Sequence, residues 1–477
     1  MTQQRQLAIS RDEKDLPKAG GKMHDYALII GGFVGTESKR QVTCLILPDQ
    51  LNCKYPVGSP NQGTLYERCS QRALGCALAA VVALAAIYPL FGQQSGTNNE
   101  LSKVVQHRPP DPLNASAYEH FYNMDYDRSV QDFQKILDRH PDDPFALNHL
   151  LTAVMFRELY RMGALNTADY ANDSFIGIPH HPADPKVKEQ IKGLVDRAEK
   201  VEEDRLKANP KDVDALYARG NTRAQFSTYT ALVERAWFSA LRNAVGARHD
   251  HEKVLELSPQ YTDAKLVVGV HNYVMGSLPW GVKVAVSLVG LSGTKEKGIE
   301  YLYDVARANT ENSVDAKIAL LLFLRREHRY SEALGLLRSL LQQYPQNVVM
   351  GLEEGTLLRS MNQYAEAATV YRKVWDAGRA GKYPGLHYEL AAEYLGDLLR
   401  SQKDYVGAAA AYELVPQAQQ ADSEVLQKSN LGAGEMYDLQ QKRDLATRKY
   451  QAVIATNSTT PPADIARKRL KEPYRAD

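Results

Sequence analysis

Two stretches in the C-terminal third, RYSEALGLLRSLL and QYAEAATVYRKVW, superimpose with Tyr330 over Tyr364, Ala333 over Ala367, Leu337 over Tyr371 and Leu340 over Val374, an offset of 34 residues. The same word returns as DYVGAAAAYELV, with Tyr405, Ala408, Tyr412 and Val415, and as RDLATRKYQAVI, with Ala446, Tyr450 and Val453. Glycines keep step with it: Gly355, Gly396 and Gly434 each stand twelve residues before the alanines Ala367, Ala408 and Ala446. A period of this length with small, aromatic and aliphatic positions describes a helical hairpin whose apolar faces only a neighbouring hairpin can cover. The expected fold is therefore all-α, a solenoid of stacked hairpins with no single thick core.

The Leu395-Gly396 pair in EYLGDLL and the Gly434 to Tyr437 spacing in GEMY complete the pattern, and over residues 313–456 the chain resembles the tetratricopeptide repeat family. Spacing stretches to 41 and then 38 residues between alanines, which predicts longer turns such as AGRAGKYPG. Upstream, Tyr126, Ser129, Phe133, Ile136 and Pro141 fill the same places in a first hairpin. NPKDVDALYARG and SPQYTDAKLVVG repeat 49 residues apart, with proline, Asp-Ala and glycine in step, so long helices or insertions are expected between 150 and 300. The solenoid is placed at 113–460, followed by a tail at 461–477. Its structural signature is carried by Tyr126, Phe133, Pro141, Tyr330, Ala333, Gly355, Tyr364, Ala367, Gly396, Ala408, Tyr412, Gly434, Ala446 and Tyr450. The resemblance implies that the first helices of the hairpins line a concave surface that holds peptides or partner helices.

The stretch Ser277 to Arg307 differs from its surroundings: an apolar run, Val282 to Leu291, is interrupted by Lys283 and bounded by Pro279, Gly290 and Gly293. With its leucine-proline break, glycine-rich turn and a helix of the form GxxxLxxA filled by Gly298, Leu302 and Ala306, it resembles a tetratricopeptide family that includes a fungal mitochondrial outer-membrane protein needed for clearing inclusion bodies. The family's tetratricopeptide-39 type animal relatives share this region. That likeness implies an adaptor at membranes or lipid bodies. The bland alternative is a buried helix within the solenoid.

Ala73 to Phe91 is nineteen residues without a charge, preceded by Arg68 and Arg72. As a helix it would reach about 28 Å, enough to span the hydrocarbon core, and a signal peptide has the same layout. Two accounts of its position stay open. Either residues 1–64 are an untranslated upstream stretch and the chain starts near Leu65, or residues 1–72 are a disordered extension before an internal anchor. The arginines place the C-terminal body outside the cytoplasm, on the periplasmic or extracytoplasmic side, in both. YALIIGGFVG, Tyr26 to Gly35, lacks the spacing of a nucleotide-binding turn. Residues 92–112, with Pro109, Pro110 and Pro112, are expected to be a polar tether.

Lys and Arg total 58 against 57 Asp and Glu, so there is no broad field to draw nucleic acid. All four cysteines, Cys44, Cys53, Cys69 and Cys76, precede the repeats, which leaves the solenoid without a thiol chemistry. His180 and His181, and His249 and His251, are the histidine clusters; neither has the spacing of a metal motif, so solvated histidines in loops or at helix ends are expected, and a metal-dependent hydrolase built on them is the least favoured reading. GLSGTKEKG is no phosphate loop, and no GxSxG occurs. No cofactor, metal or catalytic residue is assigned. The function expected is a non-catalytic scaffold of the cell envelope, anchored through 73–91, that binds protein or peptide partners on its concave face at Arg359, Glu393, Asp397, Arg400, Lys428, Glu435 and Asp438. A lipid-surface adaptor using 278–293 is the main alternative.

Overall fold

In the computed structural model, residues 105–165, 181–280, 283, 287 and 291–476 are described, all within one unit, Gly63–Asp477. The apolar segment 73–91, the GGFVG turn, His180 and half of the 278–293 run lie outside the described residues. Among those described, no helix is long and apolar enough to cross a membrane.

Seventeen α-helices and no strand occur among the described residues. The first six are α1 (Asn114–Tyr122), α2 (Tyr126–Arg139), α3 (Pro144–Arg161), α4 (Pro185–Ala208), α5 (Val213–Leu232) and α6 (Trp237–Leu257). Then come α7 (Lys265–Ser277), α8 (Lys295–Arg307), α9 (Ser313–Arg326), α10 (Tyr330–Gln343), α11 (Val348–Ser360) and α12 (Tyr364–Arg379). The last are α13 (Leu390–Ser401), α14 (Tyr405–Tyr412), α15 (Ser423–Leu439), α16 (Arg443–Thr456) and α17 (Pro461–Lys471). Consecutive helices pack on one another, giving eight hairpins from α1/α2 to α15/α16, with α17 covering the last. The excess length expected between 150 and 300 lies partly in α4, α5 and α6, of 24, 20 and 21 residues.

Local chemistry sets the helix ends. Asp143 and Asp184 accept hydrogen bonds from first-turn amides of α3 and α4, and Pro144 and Pro185 occupy first-turn positions whose N–H would be unsatisfied. Within the hairpins, the residue two before the second helix adopts a left-handed conformation at Met124, Arg235, His328, Asn362, Lys403 and Gln441. The following amide reaches back to the carbonyl five residues earlier, as from Gln363 to Leu358 at 2.9 Å and from Asp404 to Leu399 at 3.0 Å. One reversal, repeated, fixes the angle between paired helices.

The signature glycines work by contact. A Cβ added to Gly396 would lie 2.5 Å from the Tyr412 ring, and one on Gly434 would lie 2.6 Å from Tyr450; Gly355 abuts Tyr371 in the same way. Each ring stands sixteen residues after its glycine, is buried, and fills the space that the missing side chain leaves. In α5/α6 the ring is His251, packed on Gly220. The sequence expectation of a solvated histidine fails there: His251 is buried, lies beside Ala247 O and Asn221 Oδ1 at 2.9 and 3.2 Å, and burial drives its pKa down to about 4, so it is neutral. Gly298 repeats the close approach between backbones, its Cα side facing Gly269 O and Tyr273 N, with Leu302 buried beside it and Ala306 half-buried.

The stack curls until distant hairpins touch. Asn347, which caps α11 through Met350 N, also donates from Nδ2 to Tyr122 O at 2.8 Å, and Gln346 N donates to Asn123 Oδ1 at 3.0 Å. Tyr122 and Tyr344 rings lie 4.6 Å apart, and His387 N donates to Tyr160 OH at 2.8 Å. Buried apolar residues from α1 through α15 accordingly form one continuous core.

Two outcomes follow from this packing. Gly396→Ala, despite alanine's better helix propensity, lowers stability by about 1–3 kcal/mol through overpacking against Tyr412; Gly335→Ala, in open space on α10, raises it by about 0.5–1 kcal/mol. Chemical denaturation of both variants measures the contrast. Glu202 is fully buried beside the Thr222 hydroxyl at 2.6 Å, and burial raises its pKa to about 8. A raised folded-state pKa favours folding below the unfolded value and loses that benefit as pH climbs from about 4.5 to about 8. Glu202→Gln is therefore more stable than wild type at pH 8, by on the order of 4 kcal/mol, and equally stable at pH 4, as denaturant unfolding at the two pH values measures.

Candidate functional site

The resemblance implies that the first helix of each hairpin lines the concave side, and the glycines of those helices give a register. Arg359, Arg400 and Asp438 stand four residues after Gly355, Gly396 and Gly434; Asp397 and Glu435 stand one after. In the first and middle hairpins the equivalent surface is already covered. Residues 105–112, expected as the end of a tether, instead lie packed against it. Arg108 sits with its guanidinium 4.1 Å above the Phe145 ring and 5.4 and 5.2 Å from Tyr217 and Tyr261. It donates to Asp214 at 2.8 Å and lies 3.8 Å from Glu311. Three rings and two carboxylates from several helices and turns thus meet one cation. Burial alone would raise the Glu311 pKa, but the His149 hydrogen bond at 2.9 Å and the Arg108 charge outweigh it and hold it low.

Beside this strap lies a cleft of about 1280 Å³ between Arg108 and Asn114 on one wall and Tyr261, Asp263 and Thr310 on the other. Asp263 is buried there, which raises its pKa to about 6, with Thr310 Oγ1 donating to it. Further along, the inner face of α11 is turned inward: Val349, Leu352 and Thr356 meet Tyr160 and Leu165 around an apolar cavity of about 60 Å³.

At the C-terminal hairpins the register opens. Arg359, Asp397 and Lys428 are on the surface, Lys428 beside Glu424 at 2.6 Å. Tyr412 OH donates to Asp397 Oδ1 at 2.6 Å. Glu393 is half-buried, and burial with the neighbouring Asp397 charge raises its pKa to about 8. Arg400 pairs with Glu435 at 2.7 Å, and Arg469 approaches the same carboxylate at 3.6 Å. Two of the seven positions expected on the open face are covered: Glu435 is buried, and the Asp438 carboxylate is almost wholly enclosed. Asp438 accepts from Arg443 Nη1, from Tyr450 OH at 2.8 Å and from Tyr474 N at 2.8 Å. Arg443 also donates to the carbonyls of Arg469 and Leu470, which close α17.

The C-terminal hairpins thus offer paired charges and aromatic rings at their surface. Among the described residues no three His, Cys, Asp or Glu side chains converge as metal ligands. His249 is exposed, while His181 faces Asp422 at 3.6 Å. Arg108, Arg443, Arg469 and Tyr474 escaped the sequence reading. The Asp-Ala words before Gly220 and Gly269 did mark Asp214 and Asp263, but nothing in HRPPDP or EPYRA marks the residue that meets the groove.

No curated protein matches the chain. Solved structures that it resembles include Pseudomonas aeruginosa PilF, at 18% identity over 53% of this chain and 97% of that one, with a TM-score of 0.32. A tetratricopeptide repeat protein from Parabacteroides merdae matches at 13% identity over 66% of this chain and 96% of that one, TM-score 0.29. A human IFIT1 dimer with PPP-AAAA matches at 14% identity over 76% and 82%, TM-score 0.33. Residues 352–423, from α11 to the start of α15, match the tetratricopeptide repeat family model, so this part of the chain is built of tetratricopeptide repeats.

Proposed function

We propose that the chain is a non-catalytic scaffold that holds partner proteins on the concave face of α11, α13 and α15. The observation that carries this reading is the contrast along the inner surface. The first and middle hairpins are closed by the 105–112 strap and by α1–α3, whereas the C-terminal ones present Arg359, Asp397 and Lys428 at the surface above a buried polar network. Mixed charge over a rigid helical surface suits a polar protein segment. Arg68 and Arg72 before the charge-free Ala73 to Phe91 support a site at the cell envelope, with the repeats held on the outer side of the cytoplasmic membrane.

A second reading, contact with a lipid surface through 278–293, is supported by Trp280, 82% exposed at the head of the apolar run. The resemblance of Ser277 to Arg307 to a membrane-associated adaptor family points the same way. Flotation of the full-length protein and its Trp280→Ala variant with liposomes separates the two effects: equal flotation removes Trp280 as a lipid contact.

The scaffold reading is tested by crosslinked pull-down from native membranes, wild type beside Arg359→Glu/Lys428→Glu. Both residues are exposed, so the variant folds. Loss of about tenfold or more in recovery of a specific partner is expected. Identical recovery of every partner would move the working surface elsewhere.

A further inference from the structure

The concave groove at the C-terminal end is occupied by the chain itself. Beyond α17, Glu472, Pro473, Arg475 and Ala476 are exposed, and Tyr474 alone of these turns in. Its ring lies between two guanidinium groups, 5.3 Å from Arg400 and 4.7 Å from Arg469. Arg400 Nη2 donates to its hydroxyl at 3.1 Å, and its backbone N–H donates to Asp438 Oδ2 at 2.8 Å. It rests beside the apolar cluster of Ala408, Tyr412 and Met436. Three elements, α13, α15 and α17, thus supply a clamp for one tyrosine on an extended segment.

We propose that this clamp is a docking site for an extended segment of a partner protein presenting a tyrosine, and that Tyr474 holds it in the partner's absence. The contacts are of a transferable kind. One is made to a backbone amide, which any residue but proline offers, and the others need only an aromatic ring with a hydroxyl. Arg400 and Asp438 occupy the inner-face register four residues after the repeat glycines, the surface already assigned to partner binding, so the inference rests on that reading. A tethered tyrosine competes at an effective concentration in the millimolar range, which weakens any partner that must displace it. Binding is thereby gated by release of residues 472–476.

The probe is a fluorescent synthetic peptide of residues 471–476, KEPYRA, titrated by fluorescence polarisation into full-length wild type and Tyr474→Ala. Saturable binding to Tyr474→Ala, at least tenfold tighter than to wild type, is expected. A peptide with alanine for tyrosine should not bind, and one with phenylalanine should bind more weakly because the Arg400 hydrogen bond is lost. Arg400→Ala/Tyr474→Ala should lose the peptide while its thermal melt stays cooperative. No binding to a folded Tyr474→Ala protein, or equal binding by the alanine peptide, overturns the proposal. If the peptide fails while Arg359→Glu/Lys428→Glu still loses its partner, the scaffold reading stands and only the clamp falls.

Discussion

Each well-formed hairpin depends on an aromatic ring of its second helix lying flat against a glycine of its first. The contact recurs at Gly355 with Tyr371, Gly396 with Tyr412 and Gly434 with Tyr450, and its geometry leaves no room for a Cβ. Close approach at this point sets how near the paired helices lie, and the left-handed residue two places before the second helix sets their angle. Repetition of these two local constraints determines the curvature of the stack. The tyrosine hydroxyls then turn the packing contact into a polar one at the inner surface, where they meet Thr356, Asp397 and Asp438.

Curvature has a consequence for function. A straight row of hairpins at about 9 Å per step would hold the first and sixth about 45 Å apart. Here Gln346 N and Asn123 Oδ1 are 3.0 Å apart, so the winding brings them into contact. Inner surface that an open solenoid would offer to ligands is spent on α1–α3 and on the strap of residues 105–112. A carboxylate that the register aims inward is consequently buried: Asp315 is enclosed near Tyr344, and burial pushes its pKa well above the carboxylate range. Inner surface that this closure does not reach is left at the C-terminal hairpins, and there the chain has placed its own Tyr474.

Periodicity made the hairpins legible because the ring, the glycine and the alanine recur at fixed spacing, and every such position named from the sequence lies on a helix or its turn. Tyr126, Phe133, Ala333 and Ala446 are buried as the pattern demands, and Pro141 stands in the α2–α3 turn. His251 was misread because its sixteen-residue partner spacing is lengthened to 31 by the longer helices α5 and α6, which hides the equivalence with tyrosine. Glu435 and Asp438 stand one and four residues after Gly434, yet a register does not report what lies above it: Arg469 and Tyr474 come from segments whose own sequence has no periodic mark, and Arg443 heads a repeat word without filling one of its marked places. Arg108 was equally invisible, since a proline-rich polar stretch has the composition of a linker whether or not a groove receives it.

Contact between the first and sixth hairpins is the claim from which the closure of the middle groove and the proposed confinement of binding to the C-terminal hairpins both derive. Spin labels at Asn123→Cys and Gln346→Cys, in a background with Cys44, Cys53, Cys69 and Cys76 replaced by serine, measure that separation directly by pulsed dipolar spectroscopy. A narrow distribution at the short end of the accessible range is the predicted result. A broad distribution centred near the straight-row value of about 45 Å would show an open solenoid and contradict it.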